Sequence, residues 1–312
     1  MNVDLSNHFI SVADHSPAWL EHVLDVAFAL RAERTAGKAN TPVLTGKSLV
    51  MIFEKPSLRT WVSFEQAMLE LGGNAIGMPG GSVGLGSRES PGDVARVLGG
   101  MVHGICARVF DHDNLLRLAE HSSVPVVNAL SDHSHPCQAL ADIMTVMDEF
   151  GRDLTGRTIA YVGDGNNVAR SLATICGRLG LNFNLAAPPG YALEPAFVDR
   201  IMSQVPTMNF EMCQDPADAV RYADVIYTDT WVSMGQEAEK DVRRKVFGDY
   251  QINAQLLAQA PPHAIVLHCL PAYRGWEITD DVLDGSRSRV FPEAHNRLHA
   301  QKGLLAVLMG GA

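Results

Sequence analysis

Short apolar runs alternate along the chain with segments whose apolar residues recur at helical spacing. The apolar runs have the length and composition of buried strands, and they cover residues 48–53, 74–78, 105–110, 125–128, 158–162, 182–187, 224–227 and 264–268. The intervening segments carry helical periodicity or helix start signals, at residues 17–36, 60–71, 91 onward, 136–150, 168–179, 194–204 and 295–309. This alternation predicts an α/β fold of mainly parallel sheets flanked by helices.

A polar turn at residues 151–156 (GRDLTG) separates two such series. A chain of 312 residues is long for one domain and comfortable for two. We therefore expect two doubly wound domains, in which ligands bind at the carboxyl ends of the strands.

Composition narrows the class of protein. The formal net charge of -10 disfavours nucleic acid and anionic membranes as partners. The N-terminus lacks the pattern of a signal peptide, and no apolar stretch approaches the roughly 18 residues of a membrane span. Five scattered cysteines without a CxxC pair argue against a disulfide framework or a structural zinc site, and they favour a reducing cytoplasm.

The loop at residues 53–60 (FEKPSLRT) joins a predicted strand to a predicted helix. A helix N-terminus offers free backbone N–H groups and partial positive charge. Ser57, Arg59 and Thr60 would add hydroxyls and a guanidinium, which together suit a phosphate group. The alternative is a helix-capping Ser57 beside a solvated Arg59.

The loop at residues 163–167 (GDGNN) suggests dinucleotide binding, because a Gly-rich turn follows a strand and precedes a helix. Two features weaken this interpretation. Val168 replaces the third glycine of the motif, and the next strand ends in Ala186-Ala187-Pro188 without an acidic residue to bind a ribose. The asparagine pair instead binds a polar substrate or closes a turn.

Two further segments carry reactive side chains. His133 and His135 lie near a helix start with Gln138 one turn on, but no acidic or cysteine partner stands at a convincing metal-ligand spacing. Cys137, between apolar neighbours, is expected in the core. Cys269 follows a buried strand, and the sequence leaves open whether it is a nucleophile, a substrate contact or a packing residue.

Taken together, these loops resemble the transcarbamylase family, and the ornithine carbamoyltransferases in particular. The matching motifs are residues 57–60 (SLRT), 135–138 (HPCQ), 163–169 (GDGNNVA), 229–235 (DTWVSMG), 268–272 (HCLPA) and 293–302 (EAHNRLHAQK). The resemblance spans about residues 45 to 310, and several motifs in register are far more specific than any one tetrapeptide.

The resemblance implies transfer of a carbamoyl group from carbamoyl phosphate to the δ-amine of L-ornithine, which yields L-citrulline. The residues it implies for carbamoyl phosphate are Ser57, Leu58, Arg59, Thr60, Arg108, His135, Gln138, Cys269, Leu270 and Arg297. Those it implies for ornithine are Asn167, Asp229, Ser233 and Met234. Arg108, His135, Asp229 and Cys269 would take part in catalysis.

The same resemblance implies how the chain is organised. Residues 1–150, with a C-terminal helix at about 295–312 packing back on them, would bind carbamoyl phosphate, and residues 151–294 would bind the amino acid. A homotrimer or a multiple of trimers is expected. No metal or organic cofactor is implied, and no nucleic acid or membrane is an expected partner.

Four positions depart from the family pattern. Leu58 replaces a threonine, Trp61 an arginine, Gly84 a glutamine and Trp276 a glutamate. These changes leave two alternatives to an ornithine enzyme. One is a carbamoyltransferase with another amine acceptor, such as putrescine or a modified ornithine. The other is a catalytically silent paralogue that binds a metabolite or regulates a partner.

Overall fold

The computed structural model describes residues 4–79, 82–233 and 235–311. The chain forms two compact units. The first comprises Met1–Ala141 with His295–Ala312, and the second comprises Asp142–Ala294. Within the described ranges, no helix combines the length and the apolar character that crossing a membrane requires.

The first unit contains a parallel sheet of four strands in the order β2-β1-β3-β4. The strands are β1 (Ser48–Phe53), β2 (Asn74–Pro79), β3 (Gly104–Arg108) and β4 (Val126–Leu130). The helices that precede or connect them are α1 (Pro17–Thr35), α2 (Leu58–Glu70), α3 (Pro91–Gly99) and α4 (His112–His121). Strand β1 is buried on both faces, as a central parallel strand between helices should be.

The second unit contains a parallel sheet of five strands in the order β7-β6-β5-β8-β9. The strands are β5 (Thr158–Val162), β6 (Asn182–Ala186), β7 (Phe210–Cys213), β8 (Val225–Thr228) and β9 (Ile265–His268). Helix α5 (Pro136–Phe150) leads into it, and the later helices are α6 (Asn167–Arg178), α7 (Pro195–Gln204), α8 (Pro216–Val220), α9 (Lys240–Val246), α10 (Ala254–Leu257), α11 (Asp280–Leu283) and α12 (Val290–Leu305). The unit boundary falls within α5 and within α12.

Short polar side chains fix where the main helices begin. Ser16 accepts a hydrogen bond from the Trp19 N–H, directly before Pro17 in the first turn of α1. Asn166 caps α6 in the same way, by accepting from the N–H groups of Val168 and Ala169. The Asn166 cap places the N-terminus of α6 shortly after β5, where the candidate ligand loop at residues 163–167 lies.

The predicted α/β architecture of two helix-flanked parallel sheets is confirmed. The predicted start of the last helix at residue 295 is wrong, because α12 begins at Val290. Pro292 lies in the first turn of this helix, a position where proline is tolerated. The helix α4 and the edge strand β7 were not predicted, because most residues of α4 are polar and β7 is too short to give a clear pattern.

Candidate active site

The N-terminus of α2 follows the carboxyl end of β1 in the first unit. The Ser57 hydroxyl caps the helix by accepting from the Thr60 N–H at 3.4 Å. Thr60 is buried, whereas the Leu58 side chain is 75% exposed. Ser57 therefore acts as a helix cap, while the first-turn N–H groups remain at the end of the strand where an anion is favoured.

Arg297, on α12, is buried beside this helix start within the first unit. Its Nη1 donates to Gln138 Oε1 at 2.7 Å, and its Nη2 donates to Thr60 Oγ1 at 3.0 Å. Its Nε is buried and has no hydrogen-bond partner among the described residues. A buried guanidinium held only by neutral oxygens keeps its charge available for an anion.

His135 lies immediately before α5 and is buried among three arginines. Burial lowers the pKa of His135 well below its usual range, and the charges of Arg297, Arg108 and Arg59 lower it further. The imidazole is therefore neutral at physiological pH. The first unit thus gathers concentrated positive charge around one uncharged hydrogen-bonding ring.

In the second unit, the ends of two neighbouring strands hold a thiol and a carboxylate together. Asp229 follows β8 and Cys269 follows β9, and the Cys269 thiol donates to Asp229 Oδ1 at 3.1 Å. Cys269 is partly exposed as a residue, but its thiol is enclosed. Burial, together with the negative charge of Asp229, raises the pKa of the Cys269 thiol well above its usual range. The sulfur is therefore a hydrogen-bond donor rather than a thiolate.

The other oxygen of Asp229 is bound by Asn166, a residue that was not among the predicted site residues. Asn166 Nδ2 donates to Asp229 Oδ2 at 2.9 Å, and Tyr161 OH donates to Asn166 Oδ1 at 3.2 Å. The predicted Asn167 is the first residue of α6. An asparagine at a helix N-cap was the signal in the sequence, but a cap side chain was not expected to bind a carboxylate across 63 positions.

The segment after β9 is held by a buried histidine and a buried glutamate. His268 Nδ1 accepts from the Leu270 N–H at 2.9 Å, so its Nε2 carries the proton and donates to Glu277 Oε1 at 3.1 Å. Both side chains are fully buried. Leu270 has a positive φ of 54°, a rare conformation for a branched residue. This network fixes the backbone on either side of Cys269.

A buried ion pair supports the loop after β8. Arg243, on α9, bonds Asp164 Oδ2 at 2.8 Å and the Trp231 carbonyl at 3.1 Å. The Ser233 N–H donates to Gln236 Oε1 at 3.1 Å, which closes the turn that contains this predicted ligand. The predicted Met234 lies outside the described residues. Arg243 therefore ties the GDGNN loop to the segment leading to Ser233.

Potential ligand atoms of Asp229, His268 and Cys269 lie within 4.8 Å of one another. These residue types bind zinc and related ions in other proteins. Here both ring nitrogens of His268 are already engaged, and the thiol donates to Asp229. A metal ion would therefore have to break at least one of these hydrogen bonds.

Besides the exposed Leu58, the structure shows where the other three unusual residues lie. Trp61 packs against Phe53 with ring centroids 5.0 Å apart, in space left by Gly77. Gly84 has a φ of +65°, and Trp276 stacks on Tyr273 at 5.3 Å in the second unit. Trp61 therefore acts as a packing residue beside the end of β1.

Comparisons with known proteins match two successive parts of the chain to two domain models. Residues 7–148 match the model for the carbamoyl-P binding domain of aspartate/ornithine carbamoyltransferases, and residues 155–308 match that for the Asp/Orn binding domain. The chain is 47% identical to an ornithine carbamoyltransferase of Methanopyrus kandleri over 98% of both chains. It is 45% identical to an anabolic ornithine carbamoyltransferase of Pyrococcus furiosus over 97% of this chain and 96% of that protein. The solved structure of the Pyrococcus furiosus ornithine carbamoyltransferase superimposes over 100% of both chains with a TM-score of 0.93 and 44% identity.

Proposed function

The chain belongs to the aspartate/ornithine carbamoyltransferase family, and we propose that it transfers the carbamoyl group of carbamoyl phosphate to the δ-amine of L-ornithine, giving L-citrulline and phosphate. The observation that carries this proposal is the pairing of two sites. An arginine-rich site lies in the first unit, which matches the carbamoyl-P model from residue 7 to its boundary in α5 and also contains Arg297 from the later part of the chain. A carboxylate–thiol pair lies in the second unit, most of which matches the Asp/Orn model.

The first unit supplies the donor site in this proposal. Ser57, the Leu58 N–H, Arg59, Thr60 and Arg297 bind the phosphate group. The N-terminus of α2 supports this role, and so does Arg297 Nε, which has no hydrogen-bond partner among the described residues, because both suit a dianion. Leu58 contributes only its backbone N–H, and its side chain is exposed. Compared with the family's threonine, the site therefore lacks one hydroxyl but keeps the helix N-terminus.

The carbamoyl group is bound by three further residues of the first unit: Arg108, His135 and Gln138. Attack on the carbamoyl carbon places negative charge on its oxygen, and donors aimed at that oxygen stabilise the transition state by roughly 3 kcal/mol each. Arg108, the Thr60 hydroxyl and the neutral His135 ring supply such donors. The leaving phosphate stays neutralised by Arg59 and Arg297.

The second unit supplies the acceptor site. Asn167, Ser233 and Met234 bind the amino-acid end of ornithine, and Asp229 and Cys269 position the δ-amine, with Leu270 alongside. A free alkylammonium has a pKa near about 10.4, so the amine must lose a proton before it attacks. The Asp229 carboxylate holds the ammonium form, and the bound phosphate dianion accepts the released proton. Direct displacement needs no covalent Cys269 intermediate, which fits a thiol whose pKa is raised.

The assembly we propose is a homotrimer or a multiple of trimers. Apolar side chains of the first unit are exposed along α2 and on β2, the edge strand of its sheet: Leu58, Val62, Leu69 and Ile76. Exposed apolar surface beside an open strand edge is typical of an interface with another subunit. Static light scattering of the purified protein tests this, and a monomeric mass would reject it.

A cytoplasmic location is also part of the proposal. All five cysteines lie within the described residues and are free, which suits a reducing compartment.

The decisive experiment measures phosphate release and the carbamoylated product, which is citrulline in the case of ornithine, from carbamoyl phosphate and a panel of amines. We expect turnover with L-ornithine and little with putrescine, because putrescine lacks the α-carboxylate and α-amine that the loop around Ser233 would bind. Faster turnover with putrescine than with L-ornithine would identify putrescine as the preferred acceptor. No product with any amine, despite calorimetric binding of carbamoyl phosphate, would indicate a silent metabolite-binding protein.

A further inference from the structure

A second group of buried carboxyls lies behind the acceptor site of the second unit. Asp142, on α5, and Glu293, on α12, are both completely buried. Their side chains are hydrogen-bonded to each other. The Tyr227 hydroxyl lies 3.2 Å from Glu293 Oε1 and 3.4 Å from Asp142 Oδ1. None of these three residues belongs to the donor or acceptor site proposed above.

This group is connected to both strands that lead to the acceptor-site pair, through a backbone hydrogen bond at the end of β9 and through the side chain of Tyr227 on β8. Glu293 Oε2 accepts from the His268 N–H at 2.8 Å, directly before Cys269. Tyr227 is two residues before Asp229 on β8, and its ring stacks on Tyr161 at 5.6 Å. The carboxyl pair therefore sits beneath the two strand ends whose side chains meet at the Cys269–Asp229 hydrogen bond.

Two carboxyls in contact inside a protein cannot both be ionised at reasonable cost. Burial raises the pKa of Glu293 well above its usual range, and the charge of Asp142 raises it further. The ionisable groups facing the pair reinforce this effect, since Tyr227, Asp229, Cys269 and Cys176 offer no positive charge. The His268 ring carries its single proton toward Glu277. The pair therefore retains one proton.

We propose that Glu293 and Asp142 share this proton and act together as a positioning pair for the acceptor site. Glu293 accepts a hydrogen bond from the His268 N–H and so fixes the position of Cys269 relative to Asp229. Because one carboxyl stays neutral, the pair does this without placing two negative charges beneath a site that must bind an ammonium group. This inference rests on the proposed acceptor site, but the proton itself is independent of it.

The first test compares Glu293→Ala with the isosteric Glu293→Gln. Alanine leaves the His268 N–H unpaired, so we expect kcat/KM for ornithine to fall at least about tenfold. The KM for carbamoyl phosphate should change much less. Glutamine keeps both an acceptor for His268 and a donor for Asp142, so it should rescue most of the loss. If Glu293→Gln lowers kcat/KM for ornithine as much as Glu293→Ala does, the proposal is wrong.

The second test measures the proton without using activity. As the pH rises past about 4.3 the unfolded chain releases the Glu293 proton while the native protein keeps it, so the wild type loses stability relative to a neutral variant. Glu293→Gln and Asp142→Asn should each gain several degrees in Tm relative to wild type between pH 5 and pH 8. If the Tm difference between the variants and the wild type does not change with pH across this range, the two carboxyls do not share a proton.

The matched control is Glu149→Gln, which removes one carboxylate from the same helix as Asp142. Glu149 lies at the surface and pairs with Arg289, with Nη2 3.0 Å from Oε2. Its Tm difference from wild type should not grow with pH. The Tm measurements do not depend on activity, so they test the shared proton even if the protein shows no turnover with ornithine. Failure of the proposed function and failure of this inference therefore give different results.

Discussion

Arg297 Nη2 donates to Thr60 Oγ1 across 3.0 Å, although 237 positions separate the two residues in the chain. The other terminal nitrogen of Arg297 bonds Gln138. Both acceptors are neutral, so the guanidinium is fixed in direction without losing its charge to a carboxylate. This arrangement is what an anion site requires before its ligand arrives.

Replacing Arg297 should therefore impair donor binding. We expect Arg297→Ala to lower kcat/KM for carbamoyl phosphate at least about 100-fold, because charge-assisted hydrogen bonds contribute ~1.5–3 kcal/mol each. Arg297→Lys keeps the charge but loses the planar fork, so it should recover only part of the loss. Steady-state kinetics with varied carbamoyl phosphate measures both. Arg221→Ala, which removes an exposed ion pair with Asp218, serves as the control.

Arg59 and Cys137 should respond oppositely to truncation. Arg59→Ala removes a cation of the proposed phosphate site, so turnover should collapse while Tm stays near that of the wild type. Cys137 is fully buried and its thiol donates to the Asn128 carbonyl at 3.3 Å. Cys137→Ala should cost about 1 kcal/mol of unfolding free energy and leave kcat within about twofold. Equal losses of activity at unchanged Tm would contradict this assignment.

The Cys269 thiol should be slow to alkylate, and its reactivity should depend on Asp229. Because burial and the Asp229 charge raise its pKa, the thiolate fraction stays small at pH 8. Asp229→Asn removes the negative charge, so the midpoint of the pH–rate profile should move to lower pH. Mass spectrometry of the Cys269 peptide after timed iodoacetamide treatment measures this. An unchanged midpoint would mean that Asp229 does not govern the thiol.

Gly77 and Trp61 should be energetically coupled. A Cβ at Gly77 would lie 2.1 Å from Trp61 Cζ2, so Gly77→Ala should destabilise the protein by about 1–3 kcal/mol. In a Trp61→Leu background the added methyl group meets no ring, and the same change should cost much less. A double-mutant cycle in Tm at fixed protein concentration measures the coupling. Additive effects would show that the ring is not what Gly77 accommodates.

His299 should make the protein sensitive to mild acid. Burial, together with the charges of Lys302, Arg31 and Arg34, lowers the pKa of His299 to about 4. Its neutral form contributes stability that is present above pH ~6.5 and is lost as the pH falls towards 4. His299→Gln should therefore flatten the decline of Tm across this window. The exposed His22→Gln serves as the control, and an equal flattening there would contradict the assignment to His299.

Much of the fold could be predicted from the sequence because parallel strands between helices are continuous apolar runs. Strands β1 and β5 and helix α5 have the predicted bounds. The prediction failed where local composition is not decisive. Helix α4 shows only Leu115, Leu118 and Ala119 to the core, and its start depends on Asp111 as a cap. The first turn of α12 contains a proline that resembles a break.

The candidate site was predictable only to the level of its loops. Motifs placed Thr60, His135 and Gln138 near strand ends, but nothing local indicates that Arg297 bonds two of them. Asn166 and Glu277 were missed because their partners are set by tertiary packing. Glu293 was missed for a further reason. A glutamate is expected at the surface from its residue type alone, and only the structure shows the neighbours that keep Glu293 protonated.

The hydrogen bonds from Arg297 to Thr60 and Gln138 also bear on how the protein folds during synthesis. Arg297 is synthesised 237 positions after Thr60 and 159 positions after Gln138. Both of these spans must therefore be synthesised before the hydrogen bonds from Arg297 to Thr60 and Gln138 can form in the first unit. An N-terminal fragment emerging during translation would contain both oxygen acceptors and no guanidinium to meet them. Domain-by-domain folding from the N-terminus is common, but here the first unit is completed only after the second unit has been synthesised.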